Sequence, residues 1–90
     1  LNDMERVISE LENNFNWFSD MEWARRDAII NIAFNLGITR LLLFKKALNA
    51  MSQKDYSKAS NEFMDSLWSQ QVGSRAVELC DMIENDEYYF

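Results

Sequence analysis

The stretch Arg25-Arg26-Asp27-Ala28-Ile29-Ile30-Asn31-Ile32-Ala33-Phe34-Asn35-Leu36-Gly37 decides the fold. Ala24, Ala28, Ile32, Ala33 and Leu36 recur at helical spacing, and Ile29, Ile30 and Phe34 fill the other sides. A helix that is apolar nearly all round is one that a domain packs around, so this segment is expected to be the buried central helix. Gly37 can end it by taking a left-handed conformation without steric cost, with Ile38 supplying the apolar contact of such a cap. Asn31 interrupts the apolar surface. An unpaired amide in a core costs about 1–3 kcal/mol, so Asn31 must find hydrogen-bond partners or face a cleft.

On the N-terminal side, Asn2 and Glu5 have capping-box spacing, and Met4, Val7, Ile8, Leu11 and Phe15 line one side of a helix. Its other side carries Asp3, Glu5, Glu10 and Glu12, read as a solvated acidic face without a catalytic role. Asn13 and Asn14 weaken this helix, and Phe15, Trp17 and Phe18 follow as an aromatic cluster, read as core plugs with a ligand shelf as the alternative. Ser19 and Glu22 repeat the capping-box spacing at the start of the central helix.

Beyond Gly37, Thr39 is expected to cap a short helix through Leu43, and Phe44 to Met51 forms the next, with Leu48 and Met51 inward. Arg40, Lys45 and Lys46 make the one dense basic patch, read as a solvated face with contact to an acidic glycan or protein as the alternative. Asp55 opens a helix in which Tyr56, Ala59, Ser60, Phe63 and Leu67 share a face and which ends at Trp68. Gln70 to Gly73 is expected as a turn. Ser74 then caps a last helix with Ala76, Val77, Leu79, Cys80 and Ile83 inward, before an acidic, aromatic tail from Asn85 to Phe90.

Ninety residues, no proline, two glycines and apolar recurrence every three or four positions give an all-α fold and one domain over residues 1–90, without metal or disulfide staples. The lone Cys80 cannot form an internal disulfide, and without histidine there is no Cys/His zinc set, so Cys80 is a core residue and no metal or cofactor is expected. A net charge of −6 argues against unaided binding to nucleic acid or an anionic membrane. The longest apolar runs, Leu41 to Phe44 and Ala28 to Ile30, cannot span a bilayer, and there is no signal-peptide pattern. The chain begins at Leu1 rather than methionine, which raises the expectation of a processed chain, a piece of a longer polypeptide or an expressed fragment.

Taken together, the motifs resemble the C-terminal lobe of the phage-type lysozymes, the muramidases of T-even and related bacteriophages. The central helix is similar to that family's Arg-Arg-x-Ala-x-x-Asn-x-x-Phe-x-x-Gly pattern through Arg25, Arg26, Ala28, Asn31, Phe34 and Gly37. Phe44 and Leu48 follow at the family's distance, and Trp68, Gln71 and Arg75 match its Trp-x-x-Gln-x-x-x-Arg motif. The resemblance covers about residues 3 to 84.

The resemblance implies an active site between two lobes joined by a long helix, of which residues 1–15 are the later part, with 20–84 as the helical core and 85–90 as a tail. It implies peptidoglycan or a muropeptide as the ligand, and a phage-encoded protein of the host bacterial cytoplasm with access to the wall during lysis. The family's catalytic glutamate, aspartate and threonine belong to the other lobe and have no counterpart here. Arg75 matches the arginine that pairs with that glutamate, Asn31 the amide beside it, and Phe34 and Asn35 positions along the cleft wall, where Asn35 replaces a longer glutamine. Trp68 and Gln71 support local packing.

Glycoside hydrolysis needs two carboxyl groups flanking the scissile bond, one of them protonated until transfer. Arginine, with a pKa above about 12, cannot supply that proton, so this chain alone is expected to be inactive. The residues by themselves leave a second reading of Arg75, as a first-turn helix residue tied to Glu78 or to a tail carboxylate. The balance of 15 acidic against nine basic residues also departs from the basic character common in phage lysozymes. It leaves open a free-standing, non-catalytic module that binds and inhibits a protein partner.

Overall fold

A computed structural model describes residues 3–86, which are all-α, with no strand among them. The Asn2 cap and the tail residues 87–90 lie outside the described residues. In chain order the helices are α1 (Asp3–Asn14), a 3-10 turn (Phe18–Asp20), α2 (Trp23–Leu36), α3 (Ile38–Leu41), α4 (Lys45–Ser52), α5 (Tyr56–Met64), α6 (Leu67–Val72) and α7 (Ser74–Asn85).

The central position of α2 follows from its side chains. Ala24, Ala28, Ile29, Ile30, Ile32 and Ala33 are buried, and the helix packs against α7, α1 and α3. Burial is not complete around its circumference: Phe34 is 46% exposed and Trp23 73%, so the aromatic residues of this helix stand at the surface. The rest of the core comes from α5, which packs on both α4 and α7 through Ala59, Phe63, Met51, Leu79 and Ile83, all fully buried. Phe63 links Phe44 (ring centroids 5.3 Å apart) to Trp68 (6.3 Å, edge-on), which places both of those motif residues against one core ring. Leu48 and Cys80 are buried, while Val77, expected inward, is 47% exposed.

Several helix ends differ from their expected positions. Ser19 sits inside the 3-10 turn, so α2 starts later, after an extended Glu22 that makes no side-chain cap bond. Gly37 has φ 81° and ψ 152°, a positive φ outside the left-handed helical region. Its N–H closes α2 on the Ala33 carbonyl at 2.7 Å, and the next residue already belongs to α3, which leaves no cap role for Thr39. The helix opened by Asp55, whose carboxylate accepts from the Lys58 N–H, stops at Met64 instead of Trp68. Ser66 accepts from the Ser69 N–H and starts α6, so Gln70 and Gln71 are helical rather than a turn. Gly73, at φ 64° and ψ −130°, supplies the break before α7, and Ser74 is a helical residue rather than its cap. At Gly37 and Gly73 a local side-chain preference yields to a backbone geometry that glycine alone adopts easily, and at Ser66 to a competing cap.

Candidate functional site

Between α1, α2 and α7 lies a groove of about 500 Å³. Met4 and Ile8 come from α1, Asp27, Ile30 and Asn31 from α2, and Arg75 and Met82 from α7. Ile30 and Met82, nearly fully buried, give it an apolar floor, and half-exposed Met4 stands at its rim.

Asn31 resolves its polar problem twice over. Its Nδ2 donates to the Asp27 carbonyl one turn back at 2.8 Å, and its Oδ1 accepts from Arg75 Nη2 at 3.5 Å. The amide thus has a protein partner on both its nitrogen and its oxygen. Arg75, on the first turn of α7, also donates from Nη1 to Glu78 Oε2 at 3.1 Å. Arg75 thus combines a first-turn ion pair along its own helix, the second of the two readings the residues left open, with a contact to Asn31 across the groove. With its side chain half exposed, the guanidinium keeps N–H donors that make no other bond among the described residues. A planar cation beside an oriented amide over an apolar floor can bind and orient an oxygen-rich ligand. Asp27 is the one carboxylate among the residues that line the groove.

Phe34 lies in a neighbouring groove of about 480 Å³, also between α1 and α2, with Arg6, Val7, Glu10, Ala33, Gly37 and Ile38. Asn35 is exposed and lines neither groove. Asn31 and Arg75 are therefore brought together, whereas Phe34 stands one recess away and Asn35 apart from both.

The remaining motif residues divide between core and framework. Arg25 donates from Nε to the Ile83 carbonyl at 2.6 Å and from Nη2 to the Glu84 carbonyl at 3.0 Å, pairs with Glu22 at 2.8 Å through Nη1, and stacks on the Tyr56 ring at 3.8 Å. It caps the last turn of α7, where carbonyls lack helical partners and the helix dipole favours a cation. The bond to Arg25, helped by a backbone hydrogen bond, lowers the Glu22 pKa below its ordinary 4.5. Burial is the main cause that raises the Tyr56 hydroxyl above its ordinary 10.0. Arg26 sits 5.3 Å from the Phe18 and Trp23 ring centroids, its Nε buried and without a hydrogen-bond partner. Trp68 is buried with its Nε1 unpartnered, and Gln71 is exposed. The capping role of Arg25 was not read from the sequence. An arginine next to a predicted helix start was the available signal, but its target lies 58 residues further along the chain.

No group of three or more potential metal ligands occurs among the described residues. No helix among them is long and apolar enough to cross a membrane.

No protein-family model matches the chain. It is similar to probable T4-type lysozyme 1 of Dictyostelium discoideum, with 30% identity over 85 residues, 91% of this chain and 50% of that protein. It is similar over the same extent to probable T4-type lysozyme 2 of that organism, at 25% identity. It is also similar to the pre-baseplate central spike protein Gp5 of Enterobacteria phage T4, at 34% identity over 83 residues, 92% of this chain and 14% of that protein. The chain is thus homologous to the T4-type lysozyme and Gp5 proteins at modest identity over most of its length. It spans about half the length of the two lysozymes and a smaller share of the spike protein.

Proposed function

We propose that this chain is a C-terminal lobe of a T4-type lysozyme, whose groove at Asn31 and Arg75 forms one wall of a peptidoglycan cleft. The contact between Arg75 and Asn31 across the groove carries this reading, since it sets a cation and an oriented amide over an apolar floor inside the homologous region. In this reading Arg75 orients a carboxylate or glycan oxygen delivered from outside the lobe, and Asn31 holds the guanidinium toward it. The proton donor and the group that handles the attacking water come from the other lobe, because one carboxylate in the groove cannot flank a glycosidic bond on both sides. Calorimetric titration with muropeptides tests the wall: binding is expected to weaken in Arg75→Ala and in Asn31→Ala, and equal affinity in wild type and Arg75→Ala would overturn it. Lysis of cell walls by the chain alone would overturn its inactivity.

A second reading, a non-catalytic module that docks on a protein, is favoured by the net charge of −6 and by the exposure of Phe34 and Met4 beside the grooves. Similarity to a protein named as a spike component agrees with use of such a lobe outside a free enzyme. A stable complex seen by light scattering supports this reading; a monomer that binds muropeptides alone counts against it.

A further inference from the structure

A second recess, unlike the first in chemistry, lies between residues 16–21 and residues 51–56. It is about 250 Å³ in volume, with half-buried Trp17 and Tyr56 as walls and buried Met21 and Met51 as floor. Both aromatic walls are braced from behind. The Trp17 ring stacks on Phe15 with centroids 4.8 Å apart, and the Tyr56 ring lies against the Arg25 guanidinium, itself fixed to the carbonyls of Ile83 and Glu84. The recess shares no lining residue with the groove at Asn31, so the two are distinct.

The rim is polar, and its Lys54 also lies within electrostatic reach of Glu22. The Asn16 and Asp20 side chains make no hydrogen bond among the described residues, and Ser52 Oγ, which donates to the Asn49 carbonyl, keeps its oxygen as an acceptor. Lys54 completes the rim from a backbone position with φ 61°, just past α4, where its N–H bonds to the Met51 carbonyl and that of Asp55 to the Ala50 carbonyl. Glycine usually fills such a position, and a residue with a β-carbon is disfavoured there. Here a lysine takes the left-handed position that ends α4, and it lines the recess.

We propose that this recess binds one neutral sugar ring, a hexopyranose or N-acetylhexosamine. The C–H face of a pyranose suits a fixed aromatic wall, and its hydroxyls both donate and accept. They can donate to the Asp20 carboxylate and accept from the Asn16 amide and the Lys54 ammonium. A wholly apolar ligand would leave that rim unpaired, an anion would face Asp20, and a cation would face Lys54. Because the walls are held in place beforehand, binding need not order them.

The inference rests on the recess and not on the cleft reading. N-acetylglucosamine and its β-1,4-linked trimer are titrated into the full chain while the three indole N–H signals are followed by NMR. A saturable shift of the Trp17 signal is expected, with Trp23 and Trp68 unmoved. Asp20→Ala and Asn16→Ala, both at exposed rim positions, are expected to weaken binding about tenfold with unchanged circular dichroism, and Arg75→Ala is expected to leave it intact. No saturable Trp17 shift would overturn the proposal. So would binding lost in Arg75→Ala and retained in Asp20→Ala, which would assign the sugar to the other groove.

Discussion

The Arg75 guanidinium reaches the Asn31 amide at 3.5 Å while it holds Glu78 at 3.1 Å, so one side chain joins a local ion pair to a contact across the groove. Both carboxylate and guanidinium are about half exposed, and exposed pairs of this kind contribute about 0–1 kcal/mol. Arg75→Ala is therefore expected to change unfolding free energy by no more than about 1 kcal/mol in urea denaturation. A larger loss would make Arg75 a structural residue first.

Ile32 is fully buried on α2, the helix against which α7, α1 and α3 pack. Ile32→Ala is expected to cost about 2–5 kcal/mol, a range established in part on core substitutions in T4 lysozyme itself. Chemical denaturation measures it, and a loss under about 1 kcal/mol would show that α2 is not the packing centre.

Arg25 satisfies two terminal carbonyls of α7 with a side chain that is 14% exposed. Its removal is expected to cost about 1.5–3 kcal/mol, and Arg25→Lys to recover only part, because an ammonium lacks the planar fork that serves two carbonyls at once. Glu22 reports the same change. Its pKa is lowered in the folded state, so its stabilising contribution is present above pH 4.5 and fades as pH falls through the lowered value. In Arg25→Ala the Glu22 carboxyl is expected to titrate nearer 4.5, as NMR titration would show.

Burial, with Asp81 nearby, pushes the Cys80 thiol up to about 12. The native thiol should therefore resist alkylation near neutral pH, at a rate that follows opening of the fold rather than thiolate supply. The folded value lies above the ordinary 9.0, so the contribution of Cys80 is fully present below pH 9.0 and lost as pH rises toward about 12. Fast alkylation under native conditions, measured by mass spectrometry, would contradict this burial.

What the sequence reveals about this molecule follows the range of each interaction. The apolar period of Ala24 to Leu36 announces a buried helix because burial leaves its mark every three or four residues, and Asp55 announces a cap because its target is three residues away. Helix ends at Gly37 and Gly73 were legible as breaks but not in geometry, since glycine admits several positive-φ conformations. Asn31 could be singled out as a polar residue in an apolar run, yet its partner on α7 follows only from packing. The exposure of Val77 was hidden for a related reason: periodicity gives the direction of a side chain and not what covers it. The recess between Trp17 and Tyr56 could not be read as a site, because its lining comes from two stretches, 16–21 and 51–56, that meet only in the fold.

The contacts made by Arg25 and Asn31 run in opposite order along α2 and α7: Arg25 meets Ile83 and Glu84, and Asn31 meets Arg75. The two antiparallel helices are joined at two places, so a slip of one turn would break the bonds at Ile83 and Glu84 as well as the contact at Arg75. The register of α2 against α7 is thereby set from two places, while the third side of the groove they border is α1.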